Sequence, residues 1–388
     1  MKNRTDLFRF AMRGFALAAG VALAGTAIAQ SEPIRIGAAL SITGPAAFLG
    51  DPENKTLELY VEKINAAGGV LGRKLQLISY DDGGDAEKAR IFAKRLIEQD
   101  KVDLILGGST TGTTMAIVPL AEQAQIPFLS FGGAVVIIDP VKKWVFKTPH
   151  TDRMACERIF VDMRARKIER IGFISANGGF DKSMRAECLK MAPGYKIAIV
   201  VDETYSDGDS DMTAQLTKVK NTAGVQAVLS TGYGQGGTIV IKNYRQLAIG
   251  VPLYLSHGAA SRDFIKLAGD AADGARLPAP ALLIAEQLAD SDAQKKVVVA
   301  YKKEYEARYK QDVSPFGGYA YDGLMLAVNA IQRAGSTKKD AVREALESTK
   351  GYVGASGVSN MSVKDHMGLD VSAFRILEVR KGNWVSVP

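Results

Sequence analysis

From position 33 the chain alternates short apolar runs with longer amphipathic stretches. The runs at 34–40, 74–80, 102–106 and 127–131 read as strands. The stretches at 52–66, 86–98 and 113–123 between them read as helices. After His150 the pattern restarts, with helices at 152–166, 181–191, 212–221 and 238–248 alternating with strands at 170–175, 196–201, 227–230 and 253–255. Strands separated by helices of this length form βαβ units, which build parallel sheets. The pattern therefore predicts an α/β protein of two doubly wound lobes. Helices at 292–310, 318–334 and 338–348 follow, and a hairpin of 374–379 and 384–387, turned at Lys381-Gly382-Asn383, closes the chain. No Pro-, Gly- or Ser-rich linker separates the halves, which fits lobes joined by several short crossings.

Composition narrows the class. With 388 residues, 47% of them hydrophobic and 23% charged, the chain is globular rather than disordered, and two cysteines exclude a disulfide-stapled miniprotein. Single cores stop growing at roughly 250–300 residues, which also points to two domains. The net charge of +7 suggests a polyanionic partner at first sight, but part of it belongs to the N-terminus. Residues 1–29 combine Lys2, Arg4, Arg9 and Arg13 with an apolar run at 14–24 and the small-residue site Ala27-Ile28-Ala29, the pattern of a cleaved secretory signal. The run is about 11 residues, against about 20 for a membrane span. No Cys follows the site, so lipid attachment is not expected, and the mature chain is expected free in the periplasm. Its removal takes four basic residues and Asp6, which lowers the net charge from +7 to +4. The remaining basic residues form no stripe interleaved with aromatics, so nucleic acid is not an expected partner.

Catalytic chemistry finds little support. Gly232-Tyr233-Gly234-Gln235-Gly236-Gly237 satisfies the G-x-G-x-x-G pattern, but the next strand ends in Ser256-His257-Gly258, where a dinucleotide fold needs an acid. Glycines there also let a backbone pass close to its neighbours and free helix N–H groups for an anion. His150, His257 and His366 share no metal-ligand spacing, and no nucleophile–base motif is present. Asp81-Asp82-Gly83-Gly84-Asp85 lacks the order of a calcium loop and reads as a strand end with Asp85 capping the helix at 86–98. Neither an enzyme nor a cofactor is expected. Cys156 and Cys188 fall on neighbouring predicted helices, and the sequence leaves open a bridge or two buried thiols.

Binding residues gather at strand ends, where α/β folds hold ligands. The first strand is followed by a loop carrying Phe48. The third is followed by Gly107-Gly108-Ser109-Thr110-Thr111-Gly112-Thr113-Thr114, and the fourth by Gly132-Gly133-Ala134. One hydroxyl suffices to cap a helix, and five in six positions exceed that need, which suggests an uncharged cradle for a carboxylate. In the second half Phe180, Tyr205, Tyr233, Gln235 and His257 stand at strand ends and suit a small organic acid with an apolar or aromatic body.

These pieces carry a resemblance. Pro33-Ile34-Arg35-Ile36-Gly37 with Thr43-Gly44-Pro45, Ile64-Asn65-Ala66-Ala67-Gly68-Gly69-Val70 with Gly72, Tyr80-Asp81-Asp82, the 109–114 turn and Tyr319-Ala320-Tyr321-Asp322 resemble the periplasmic solute-binding proteins of ABC importers, branched-chain-amino-acid-binding type. The resemblance covers 33–388. It implies two lobes joined by a three-crossing hinge, with lobe 1 at 30–149 and 257–370 and lobe 2 at 150–256 and 371–388. It also implies a monomer that closes on its ligand and delivers it to an inner-membrane permease. By the same resemblance Ser109, Thr110, Thr111, Gly133 and Ala134 hold the ligand carboxylate and Phe180 covers it. Amino-acid binders of this type pair the ligand ammonium with an acid near the second crossing. Here Ser256-His257-Gly258-Ala259-Ala260 carries none, and burying an unpaired ammonium costs several kcal/mol. The departure favours an aromatic carboxylate of benzoate or hydroxybenzoate type, with His257 or Tyr233 meeting a ring hydroxyl. The alternative is an amino acid or amide, with Asp202, Glu203 or Asp207 taking the ammonium.

Overall fold

The computed structural model describes residues 32–206 and 208–387, so the signal-peptide reading of 1–29 lies outside the described residues. Every strand and helix that the pattern predicts within them is present, in order. The first sheet has the order β2-β1-β3-β4-β5 and is parallel throughout. Its strands are β1 (Ile34–Leu40), β2 (Leu75–Asp81), β3 (Leu104–Gly107), β4 (Phe128–Ser130) and β5 (Val145–Lys147). Its crossovers run through α1 (Ala47–Ala66), α2 (Ala86–Glu98) and α3 (Thr111–Ala124). The inner strand β1 is buried along nearly its whole length, as a parallel strand covered on both faces must be.

After α4 (Asp152–Ala165) the second sheet begins. It is built from β6 (Arg170–Ala176), β7 (Ala198–Tyr205), β8 (Ala227–Ser230) and β9 (Leu253–Leu255), with α5 (Gly179–Met191), α6 (Thr213–Asn221) and α7 (Gly234–Gln246) as crossovers. Following α8 (Arg262–Ala268), β10 (Arg276–Pro280) joins this same sheet. The chain then forms α9 (Lys295–Tyr309), α10 (Pro315–Ala334), α11 (Lys339–Glu347) and the short pair β11 (Tyr352–Val353) and β12 (Val358–Ser359). It ends in β13 (Phe374–Arg380) and β14 (Asn383–Ser386), which complete the order β14-β13-β10-β9-β8-β6-β7.

The chain passes between the sheets three times: between Lys147 and Asp152, between Pro280 and Lys295, and between Ser359 and Phe374. The second passage corrects the expected boundary at 256/257. Residues 257–280 stay with the second sheet because β10 pairs antiparallel with β13 from Arg276↔Glu378 to Pro280↔Phe374. Two prolines count against a strand in that segment, and none is expected there. The strand tolerates them because it meets β9 only at Arg276↔Tyr254 and has diverged before Pro278 needs a donor on that side. Beyond Pro280 the chain returns to the first lobe, where α10 packs on α1 and Tyr301 of α9 lies 5.9 Å from Tyr60.

Two helix starts differ from expectation. Pro52 suggests a helix start, yet α1 begins at Ala47 and carries the proline inside, its first turn prepared by a 3-10 turn at Gly44–Ala46. Three glycines hide the start of α7, which begins at Gly234 rather than 238. Asp85 caps α2 as expected, accepting the Lys88 N–H at 2.8 Å. The question left open at the cysteines is settled: Cys156 of α4 and Cys188 of α5 are bridged, with Cα atoms 5.3 Å apart.

Candidate functional site

The floor of the interlobe cleft is the β3–α3 turn. Gly108 has φ +66 and lies against Thr114, so only a residue without Cβ fits there. Thr110 is the N-cap of α3 and forms a capping box with Thr113. Thr114 Oγ1 donates to Gly108 O at 2.7 Å and sits 2.8 Å from Ser130 Oγ. Ser109 Oγ accepts the Ser41 N–H at 3.0 Å and lies 2.5 Å from Glu53 Oε2. Three of the five hydroxyls, those of Thr110, Thr113 and Thr114, thus hold the turn itself, and Ser109 ties it to Ser41 and Glu53. Thr111 Oγ1 alone is buried with no hydrogen-bond partner among the described residues. It stands at the start of α3, where the first helical N–H groups have no intrahelical acceptor.

The second lobe faces this turn with aromatic rings. The Phe180 ring lies 5.6 Å from Tyr233 and 5.2 Å from His257, both edge-on, and Tyr233 reaches across the cleft to Phe48 at 6.0 Å. A Cβ on Gly133 would come within 3.0 Å of the Phe180 ring and 3.4 Å of His257 Nε2, so the lobes meet at this glycine.

Between them lies a narrow cavity of about 40 Å³. Seven of the expected residues line it: Ser109, Thr110, Thr111 and Gly133 from the first lobe, and Phe180, Tyr233 and His257 from the second. Phe48 and Gln235 line the outer groove that leads to it. Ala134 does neither. It is fully buried and leads into the turn Val135–Ile137, which Asp152 holds by accepting the Val135 N–H. Sequence reasoning missed Leu49, Phe131 and Pro149, and also Phe316 and Tyr319 of α10, which complete the apolar wall. The Tyr319-Ala320-Tyr321 run gave a signal for α10, but nothing local tied it to a cleft built from residues far upstream.

The glycine run at 232–237 serves packing: Gly232 lies against the Tyr205 side chain and Gly237, and Gly234 against Phe48. At the neighbouring β9 end stands Ser256-His257-Gly258, as the sequence has it.

No Asp, Glu, Lys or Arg lines the cavity among the described residues. Charge stands one layer behind. Lys147, fully buried at the end of β5, donates from Nζ to Gly132 O at 2.5 Å and to His150 O at 3.1 Å, so it ties down both loops that carry Gly133 and Pro149 into the cavity. Burial lowers its pKa to about 7, opposed by the nearby Asp152 carboxylate, whose own pKa burial raises. Burial likewise lowers His150 to about 3, and burial with the charges of His150 and Lys147 pushes His257 well below the usual imidazole range. The His257 ring is therefore neutral at neutral pH.

An unfolded lysine keeps its proton to about pH 10, so between pH 7 and 10 the unfolded state binds the extra proton and stability rises with pH. Below pH 7 the native lysine is protonated too, and this gain is gone. Lys147→Met is expected to flatten the stability–pH curve between pH 7 and 9, as read by urea unfolding. An unchanged slope would show that Lys147 does not titrate there.

A family model described as periplasmic binding protein matches residues 33–383. The chain belongs to that family. It is a substrate-binding protein of an ABC transporter of the branched-chain-amino-acid-binding type, and this family comprises receptors that hand solutes to a permease, not enzymes. Membership implies a periplasmic location. The leucine-, isoleucine-, valine-, threonine- and alanine-binding protein of Pseudomonas aeruginosa is 25% identical over 335 residues, 85% of this chain and 87% of its own. An extracellular ligand-binding receptor from Rhodopseudomonas palustris is 28% identical with a TM-score of 0.85, covering 92% of this chain and 100% of its own. A solute-binding protein of an ABC transporter from the same species, solved in complex with 3,4-dihydroxybenzoic acid, is 20% identical with a TM-score of 0.79, covering 92% and 96%, which shows a shared fold.

Proposed function

We propose that this substrate-binding protein takes a small aromatic carboxylate, of benzoate or hydroxybenzoate type, between its closing lobes and presents it to an inner-membrane ABC permease. The observation that carries the reading is the lining: aromatic rings from both lobes, a neutral imidazole, the Thr111 hydroxyl at a helix start with no hydrogen-bond partner among the described residues, and no acid among the described residues that line the cavity. A carboxylate fits the helix start and hydroxyls. Phe180, Tyr233 and Phe316 offer aromatic surface for a ring to pack against, and a ring hydroxyl suits the neutral His257. The fold relative holding 3,4-dihydroxybenzoic acid supports this as an analogy of fold.

An amino acid is the second reading, favoured by what the curated relative's name says it binds. It needs an acid for the ammonium. Asp202 is hydrogen-bonded to Arg185 and Glu203 to Lys218, and Asp207 lies outside the described residues. Asp181 lines only the outer groove and accepts from Thr231 Oγ1 at 2.6 Å.

Isothermal titration with benzoate, 4-hydroxybenzoate, leucine and phenylalanine decides between them. We expect micromolar binding of an aromatic acid, which needs about 8 kcal/mol. Leucine binding with no response to either aromatic acid would overturn the assignment.

A further inference from the structure

Glu53 is a fully buried acid that the site as described does not use. It sits on α1 between the buried Leu49 and Leu57, one helical row down and one up, so its side chain faces the interior. Its Oε2 is 2.5 Å from Ser109 Oγ, and its Oε1 has no hydrogen-bond partner among the described residues. Ser109 lines the cavity, and its oxygen already accepts the Ser41 N–H.

A hydroxyl has one proton and two lone pairs. With one lone pair taken by Ser41, the protonation of Glu53 decides where the Ser109 proton points. An ionised Glu53 draws that proton to itself, and Ser109 then offers the cavity no donor. A protonated Glu53 donates to the second lone pair and leaves the Ser109 proton free to point at a ligand.

We propose that Glu53 is a positioning residue whose proton converts Ser109 into a hydrogen-bond donor for the ligand carboxylate, so that carboxylate binding is linked to protonation of Glu53. The proposal rests on the carboxylate reading above. The surroundings favour the proton. Burial raises the Glu53 pKa well above the usual carboxylate range, and the charge of Asp82 adds to the rise against the Ser109 hydrogen bond. Asp82 is itself buried, accepts from Ser41 Oγ at 2.7 Å and is likewise raised by burial. The charge that acts on Glu53 is that of Asp82, not of a cation: Arg35 of β1 bonds Asp100 O and Arg333 of α10 bonds Thr349 Oγ1, while the acid Asp322 of α10 accepts from Ala355 and Ser356. Asp81 of β2 accepts from Thr43 and Ile42.

The test titrates the protein with benzoate and 4-hydroxybenzoate from pH 5.5 to 9, in buffers of different ionisation enthalpy so that proton uptake is read directly. Wild type should take up protons, and its affinity should fall as pH rises. Glu53→Gln, whose amide donates to Ser109 at every pH, should bind within threefold of wild type at pH 5.5 and show a shallower pH profile, with the difference reaching about tenfold at pH 9. Ser109→Ala should be weaker at all pH values. Lys147 also titrates near pH 7, so the difference between wild type and Glu53→Gln is the deciding quantity. Equal pH profiles in the two, or a wild type that takes up no proton, would overturn the proposal and leave the ligand reading standing. A wild type that binds neither acid would overturn both.

Discussion

Replacing Cys156 and Cys188 together by alanine is expected to lower the unfolding free energy by about 3–4 kcal/mol. The bridge spans a sequence separation of 32 residues. In the chain-entropy account it restricts the unfolded state by closing a loop of that size. The native state gives little back when the bridge is lost. Both cysteines are fully buried in the apolar cluster formed by Ile159, Phe160, Phe173 and Met184, and alanine leaves small voids rather than unsatisfied polar groups. The double alanine variant is preferred to serine for that reason. The bridge also ties α4, which follows the first interlobe passage, to α5, whose first turn carries Phe180. Urea unfolding of the oxidised protein and of the variant, with equal slopes, measures the difference. A loss under 1 kcal/mol would remove the bridge from the forces that hold the second lobe.

The elements of the fold were legible where one periodicity ruled a whole segment. β1, β8 and β9 stand at 34–40, 227–230 and 253–255 as the apolar runs predict, and α2 at 86–98 as its cap predicts. Legibility failed where local rules and tertiary context disagree. The segment Arg276–Pro280, with two prolines, carries no strand pattern and becomes a strand because β13, nearly a hundred residues later, supplies a partner. That one strand also displaced the lobe boundary. In the site, residues adjacent in sequence were legible as a group, as in the Ser109–Thr111 turn. Their roles were not, because hydrogen bonds from Ser41 and to Glu53 come from other segments. Glu53 did leave a trace in the helical periodicity: an acid on the same row as Leu49 and Leu57 lies on the face that α1 turns to the core. Phe316 and Tyr319 reach the cavity only because α10 packs on α1, a pairing that no local pattern encodes.

Gly133→Val is expected to weaken ligand binding at least a hundredfold while changing the unfolding free energy by less than about 1 kcal/mol. The two effects separate because of where the new atoms go. The backbone at Gly133 is not in the left-handed region, so a side chain brings no conformational strain there. Its Cβ would meet the Phe180 ring at 3.0 Å and His257 Nε2 at 3.4 Å, both from the opposite lobe. The first is tighter than ordinary van der Waals contact, and valine adds two further carbons to it. Relief comes most cheaply by moving the lobes apart, since the interiors on either side are close-packed and the cleft is not. An opened cleft leaves Phe180 unable to cover the ligand and leaves the cavity wet. Gly133→Ala adds only the Cβ, which the Phe180 ring accommodates by a few tenths of an ångström, and about a tenfold loss is expected. Titration with the best ligand of the panel reads the affinity, and small-angle scattering with and without ligand reads the closure. Valine binding within threefold of wild type, with the same ligand-induced compaction, would show that closure does not pass through the contact between Gly133 and Phe180.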